Sequence, residues 1–155
     1  GMVRAVDESV RNITDTYRKL GILAETLGVL VYNPLAGGFL SGKYRPGQEL
    51  EPETRFTLGS AARMYQYRYW QEAQFAAVEE LRGQVEREGL ELVTTSVAWT
   101  LAKPGITSAI IGASRPDQLD ASIAAAELEL DEKLIEICDE VWWRLPRRPV
   151  VEGYR

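Results

Sequence analysis

The chain has 155 residues, of which 45% are hydrophobic and 26% charged, and its net charge is −5. This length suits one domain with its own core, and the acidic balance argues against nucleic-acid binding, which depends on a basic surface. The sequence contains no histidine, which excludes mechanisms with a histidine base and metal sites built on histidine.

Cys138 is the only cysteine, so an internal disulfide framework is excluded. It lies on the apolar side of a predicted helix, and we interpret it as part of the core. The sequence shows no secretory signal and no apolar run close to the roughly 20 residues that cross a membrane. These features favour a reducing, cytoplasmic location. Gly1 is interpreted as the remnant of a cleaved tag, with Met2 as the encoded start.

The predicted elements begin with a helix over residues 9–26, where apolar residues recur at three- and four-residue spacing. The short apolar run over residues 28–32 predicts a parallel strand that is covered on both faces. Prolines and glycines then punctuate residues 33–58, which predicts a long loop. Loops of this length are usually functional or disordered.

Two helices and a second strand are predicted next. Apolar residues mark one face of a helix that starts near Trp70 and stops at Gly89. A further helix covers about residues 94–103 and ends before a Pro-Gly pair. Residues 109–112 repeat the pattern of a buried strand.

The last two helices are predicted from their caps. Ser114 is expected to cap the first of them and Asp117 to complete a capping box, with Leu119 and Ile123 facing inward. Asp131 is expected to cap the second, and the tail after Leu145 to lie on the surface. The apolar side of this last helix is formed by Leu134, Ile135, Cys138 and Val141. Strands that alternate with helices predict an α/β fold with a parallel sheet and outer helices.

The loop after the first strand is similar to a phosphate-binding P-loop. Residues 37–43 fit the pattern G-x-x-x-x-G-K, but Tyr44 stands where a serine or threonine would bind magnesium. No clean helix is predicted to begin at Lys43, so the amide donors and the dipole of a P-loop are missing. An ATPase or GTPase is therefore disfavoured.

The same loop can still hold an anion. Adjacent Gly37 and Gly38 let the backbone approach a ligand, and Lys43 supplies a point charge for a phosphate. The loop leaves the carboxyl end of a parallel strand, where ligands bind in α/β folds. A plain surface loop is the alternative.

A second candidate for an anion site follows the second strand. Residues 112–115 end that strand immediately before a helix, where unpaired amides and the helix dipole favour an anion. Arg115 adds a fork of donors suited to a phosphate. In the alternative interpretation Ser114 only caps the helix and Arg115 is solvated. The sequence leaves open whether the two loops are adjacent.

The segment “MYQYRYW”, residues 64–70, is dense in aromatic residues. Stacking on a nucleotide base is one interpretation. Because the segment has no basic surroundings, we predict that it covers a core instead.

Four stretches of the sequence resemble the C-terminal part of the aldo-keto reductases. These stretches are “VYNPLAGGFLSGKY”, “ETRF”, “SVAWTLAKPGITSAIIGASRPDQL” and the closing “YR”. They are most similar to the branch with the voltage-gated potassium channel beta subunits and bacterial reductases. The resemblance implies part of a (β/α)₈ TIM barrel, so that residues 1–155 form a single incomplete domain, the C-terminal portion with parallel strands and outer helices. It also implies NADP(H) as the cofactor.

The resemblance assigns cofactor-binding roles to matching residues. The loop after the first strand is implied to lie along the pyrophosphate and ribose through Asn33, Pro34, Leu35, Ala36 and Gly37. Lys43 and Arg55 are implied to lie near the cofactor phosphates. The second loop is implied to hold the adenosine 2′-phosphate end through Gly112, Ser114, Arg115 and Gln118. Ala121 and Ser122 replace the glutamate and asparagine that grip adenine in the family, so weaker adenine recognition is expected.

The family's catalytic Asp, Tyr, Lys and His belong to the N-terminal half of the barrel, and none of their motifs occurs in this sequence. We therefore expect no catalytic residue here, and a chain that is inactive alone but binds NADPH. A complete barrel takes about 250 residues, so we also expect self-association through exposed strand edges. The alternative is a non-catalytic, self-associating half-barrel or a nucleotide-binding module.

Overall fold

The computed structural model describes residues 15, 16, 19 and 28–146. Of the helix predicted over residues 9–26, the three described residues are helical and the others lie outside the described part, as does the tail from residue 147. The described elements are β1 (Val29–Tyr32), a 3₁₀ helix (Ala36–Ser41), α1 (Ala62–Tyr69), α2 (Glu72–Arg87), α3 (Leu92–Leu101), β2 (Ile106–Ile110), a second 3₁₀ helix (Pro116–Gln118), α4 (Asp120–Ala124) and α5 (Glu132–Arg144).

Strands β1 and β2 pair in parallel, as predicted. The register places Leu30 opposite Ser108 and Tyr32 opposite Ile110. Strand β2 starts three residues earlier than predicted because Gly105, with φ of 88°, turns the chain directly into the β-branched residues Ile106 and Thr107.

The prediction that β1 is covered on both faces is wrong within the described part of the chain. Alternate side chains on one face are exposed: Leu30 is 65%, Tyr32 61% and Ile110 51% accessible. Strand β2 contacts α3, which also packs on α4, and a small core lies in this part of the fold. That core contains Leu35, Val97, Ala98, Leu101, Ile111, Ala125, Leu128 and Leu130.

The main core lies between α1, α2, α5 and the loop after β1, and it is built on aromatic rings. The largest of its members are Phe39, Tyr44, Phe56, Tyr65, Trp70 and Phe75. The prediction that residues 64–70 cover a core is therefore confirmed. The sequence did not predict α1. The helix is separated from α2 by a break at Trp70 and Gln71, whose backbone leaves the helical region.

Helices α2 and α5 follow their predicted periodicity. Every third or fourth side chain of α2 is buried, and α5 buries Leu134, Cys138 and Val141 against it, while Ile135 is partly exposed. Asp131 caps α5 by accepting the Leu134 amide at 2.8 Å, as predicted. The burial predicted for Cys138 is also confirmed, and it raises the pKa of that thiol to about 11. Helix α3 starts and ends two residues before its predicted bounds.

Two predictions for the segment after β2 are wrong. Ser114 forms no capping box, because its hydroxyl bonds the side chain of Gln118 and Arg115 stands at the N-cap with an extended backbone. Ile123 is exposed and does not face inward. The chain forms only a 3₁₀ turn and the five-residue α4, so little of this segment has helical periodicity. No helix among residues 28–146 is long and apolar enough to cross a membrane.

Candidate functional site

The two glycine-containing loops leave the same edge of the parallel pair. Tyr32 and Ile110 end their strands side by side, so the loops begin at neighbouring residues Asn33 and Ile111. Leu35 and Ile111 also belong to the same small core, which contains Val97 of α3. The structure thus answers what the sequence left open: the starts of the two candidate anion sites are adjacent.

The first loop, residues 33–38, has an unusual backbone. Asn33 and Ala36 have φ of 60° and 53°, and Gly37 and Gly38 follow with 72° and 90°. Non-glycine residues seldom adopt this left-handed conformation, and such strain often collects at functional sites. The turn is stabilised by the Asn33 side chain, whose Oδ1 accepts the Gly37 amide at 2.6 Å. The loop is therefore a built structure and not a plain connection.

This backbone also rules against the P-loop interpretation. The 3₁₀ helix Ala36–Ser41 comes before Lys43 and ends at Gly42, which has φ of 70°. After Lys43 the chain continues without helix as far as α1. A P-loop needs the N-terminus of a helix at this point to supply amide donors and a dipole.

The cations predicted for the first loop are both exposed. Arg55 lies beside the turn, because its Cβ is 3.6 Å from where a side chain on Gly37 would begin. Lys43 lies over the rim of the aromatic core, with its Nζ 4.8 Å from the centre of the Tyr44 ring. Neither side chain is buried, so each keeps the freedom to turn toward a phosphate.

In the second loop, residues 112–118, the groups that could donate hydrogen bonds to an anion already donate to other side chains of the loop. The amide and the hydroxyl of Ser114 both donate to Oε1 of Gln118 at 3.0 Å. The Nε and a terminal nitrogen of Arg115 each donate to Asp117 at 3.2 Å. This pairing lowers the pKa of the Asp117 carboxyl and raises that of the Arg115 guanidinium. An incoming phosphate must therefore replace a carboxylate that already holds the arginine.

The donor set fits an elongated, anionic ligand at this edge. Both loops expose backbone, since a side-chain carbon placed on Gly38 or Gly112 would meet no atom within 4 Å. Arg55 stands beside the first loop and Arg115 within the second, so positive charge accompanies each exposed stretch. Open glycine backbone beside cations is suited to pyrophosphate and phosphate groups.

Two tyrosines were predicted only as cover for the core, yet they also contact the first loop. Tyr65 bonds the hydroxyl of Tyr32, and Tyr69 bonds the side chain of Asn33. Their spacing of four residues, together with Ala62 three residues before Tyr65, is the helical signal that the sequence reasoning did not use.

Comparisons with known proteins identify the family. The family model for the aldo/keto reductases matches residues 5–143. An aldo-keto reductase of Pseudocercospora fijiensis is 29% identical over 118 residues, which are 72% of this chain and 40% of that protein. Aflatoxin B1 aldehyde reductase member 2 of Rattus norvegicus is 29% identical over 123 residues, covering 72% of this chain and 34% of that protein. A probable voltage-gated potassium channel beta subunit of Arabidopsis thaliana is 28% identical over 131 residues, covering 83% and 39%.

The fold agrees with these relatives. The glycerol dehydrogenase of Gluconobacter oxydans superimposes with a TM-score of 0.61 at 19% identity, over 87% of this chain and 42% of that one. Its barrel shows that the parallel strands and outer helices described above form part of a (β/α)₈ barrel, as predicted. The chain spans only 34–40% of the length of the curated relatives named here. It belongs to the aldo/keto reductase family.

Proposed function

We propose that this chain is the NADP(H)-binding part of an aldo/keto reductase. The observation that carries the proposal is the shared edge of β1 and β2, where both glycine loops begin and where Arg55 and Arg115 stand beside them. When bound, NADPH supplies the hydride that reduces a carbonyl. The name of the rat relative, an aldehyde reductase, supports an aldehyde or ketone as the substrate of the complete enzyme.

Each candidate site residue then has a binding role. Residues 33–37 lie along the ribose and pyrophosphate, and Lys43 and Arg55 neutralise the phosphates. The adenosine 2′-phosphate is held by Gly112, Ser114, Arg115 and Gln118. The chain contributes cofactor binding, and the proton donor for the reaction comes from elsewhere in a complete barrel. The free, buried thiol of Cys138 is consistent with a protein of a reducing compartment, which we propose to be the cytoplasm.

A titration of NADPH into the purified chain tests the proposal, with tryptophan quenching and energy transfer as signals and NADH and ATP as comparisons. We expect saturable binding that prefers NADPH. Arg115→Ala should weaken NADPH binding about 10- to 100-fold and NADH binding much less, because it removes a charge-assisted hydrogen bond to the 2′-phosphate, which NADH lacks. Absence of binding at millimolar NADPH, or a preference that Arg115→Ala leaves intact, would overturn the proposal.

Asp117→Asn is expected to change the affinity for NADPH in the opposite direction to Arg115→Ala. It frees the Arg115 guanidinium from an exposed ion pair and removes a negative charge, so NADPH should bind roughly two- to fivefold more tightly. Asp120→Asn, which removes the same charge three residues away, is the control.

We also propose that the chain self-associates through the exposed face and edges of β1 and β2. Leu30, Tyr32 and Ile110 form an uncharged apolar surface there, and within residues 28–146 the sheet has only two strands, whose outer edges can pair with further strands. Light scattering is expected to give a mass above the 17.4 kDa of one chain, and Leu30→Lys to return it toward that value. Leu58→Lys changes an exposed leucine elsewhere and is the control. A monodisperse monomer at high concentration would contradict this proposal.

The same exposed face favours a second candidate, a non-catalytic half-barrel whose role is assembly. The two candidates differ in what happens when the N-terminal half of a related reductase is supplied in trans. Recovered reduction of an aldehyde by NADPH supports the reductase. An assembly module predicts association without activity.

A further inference from the structure

Two tyrosines of α1 contact the first loop from one side. Tyr65 and Tyr69 lie four residues apart, so their side chains project from the same face of the helix, with ring centres 5.9 Å apart. The Tyr65 hydroxyl lies 3.2 Å from that of Tyr32, at the end of β1. The Tyr69 hydroxyl accepts the side-chain amide of Asn33 at 3.4 Å.

The contact with Asn33 orients the turn. Because Nδ2 of this side chain donates to Tyr69, Oδ1 faces the other way and accepts the Gly37 amide at 2.6 Å. One side chain therefore connects α1 to the backbone of the glycine turn. Without Tyr69, the Asn33 amide loses the partner that fixes which of its ends faces Gly37.

The ring of Tyr65 is also the surface on which Gly37 rests. A side-chain carbon on Gly37 would lie only 2.7 Å from two carbons of that ring. Tyr65 itself is buried, and its ring meets Phe56 of the main core at a centroid distance of 6.2 Å. Burial, with the hydrogen bond to Tyr32, raises the pKa of Tyr65 to about 12, so its hydroxyl keeps its proton at neutral pH.

We propose that Tyr65 and Tyr69 are positioning residues, which hold the first loop in the shape that binds the ribose–pyrophosphate part of the cofactor. This inference rests on the proposed function. It gives two tyrosines of the aromatic segment a role beyond covering the core. Neither tyrosine is placed at the adenosine end, which the second loop holds.

The test compares two ligands, NADPH and 2′,5′-ADP, which carries only the adenosine end. In Tyr69→Phe and in Tyr65→Phe, NADPH should bind about 3- to 10-fold more weakly, the effect of one lost hydrogen bond, while 2′,5′-ADP is unchanged. Tyr44→Phe removes a hydroxyl from the same aromatic core and should leave both affinities as they are. A merely structural role would weaken both ligands together.

Amide hydrogen exchange provides a measurement that needs no ligand. In Tyr69→Phe the Gly37 amide should exchange several-fold faster, whereas the Leu58 amide, which bonds the Thr54 carbonyl at 2.8 Å, should not change. Equal weakening of both ligands, or wild-type affinity and exchange in both variants, would overturn the inference alone. Failure of the wild-type chain to bind NADPH would overturn the proposed function as well.

Discussion

Phe56→Ala is expected to lower the free energy of unfolding by about 3–5 kcal/mol, which would unfold much of a marginally stable chain. Phe56 is 0% exposed and sits at the centre of the aromatic core. Its ring meets those of Tyr44 and Trp70 at 5.1 Å each, and those of Phe39 and Tyr65 at 6.1 and 6.2 Å. The packed rings cannot collapse fully into the space left behind, so the cost includes a cavity.

Urea unfolding at a fixed protein concentration measures this effect, since self-association would otherwise shift the apparent stability. Leu58→Ala is the matched control. That leucine lies two residues away and is 56% exposed, so its loss should change the free energy of unfolding by no more than about 0.5 kcal/mol. If the two variants were equally stable, the aromatic cluster would not be the centre of the core.

Gly37→Ala is expected to have the second largest effect. Two costs combine at this position: a left-handed backbone with φ of 72°, and a new methyl group only 2.7 Å from the buried Tyr65 ring. The backbone alone costs about 1–2 kcal/mol for alanine. Because the ring is fixed in the core and cannot turn away, relieving the overlap must move the loop itself.

Gly38→Ala separates the two costs. Gly38 has φ of 90°, also left-handed, but a side-chain carbon there meets no atom within 4 Å. Thermal unfolding should therefore show a moderate loss for Gly38→Ala and a clearly larger one for Gly37→Ala. Equal losses would mean that Tyr65 yields to the methyl group and does not fix the loop.

The elements with strong periodicity were predictable from the sequence. Helices α2 and α5 bury one continuous face each, and the Asp131 cap follows from a local hydrogen bond to Leu134. Strands β1 and β2 were recognisable because a short apolar run next to a glycine marks each of them. These features depend on residues a few positions apart, which the sequence displays directly.

The features that the sequence did not yield depend on distant residues. Helix α1 is short and crowded with aromatic side chains, which have a low helix propensity. The burial of Tyr65 in the main core therefore stabilises this helix more than its helix propensity does. Ser114 was expected to accept a backbone amide as a helix cap, but its hydroxyl donates to the Gln118 side chain and Arg115 stands at the N-cap. The exposure of Leu30 and Ile110 depends on whether another element packs on that face of the sheet. The residue pattern within one strand does not reveal this.

The two candidate loops could be located from the sequence, but their adjacency and the contacts that support them could not. Gly37, Lys43 and Arg115 stand out in the sequence because glycines and cations follow the two predicted strands. The pairing of Arg115 with Asp117, and the contacts from Tyr65 and Tyr69, only appear once the chain is folded. Sequence patterns thus indicate candidate residues for a ligand site, while the folded structure shows which other residues hold those candidates in place.

The pairing of β1 with β2 has a consequence for the order of folding. It joins Val29 to Thr107, 78 positions away, whereas α2 and α3 are joined by a short connection. Closing such a long loop is entropically costly, and contacts of this range form slowly. We therefore expect the edge that carries both candidate loops to be completed after the helices have packed together. During refolding, affinity for the cofactor should arise later than the burial of Trp70, and would report that the sheet has closed.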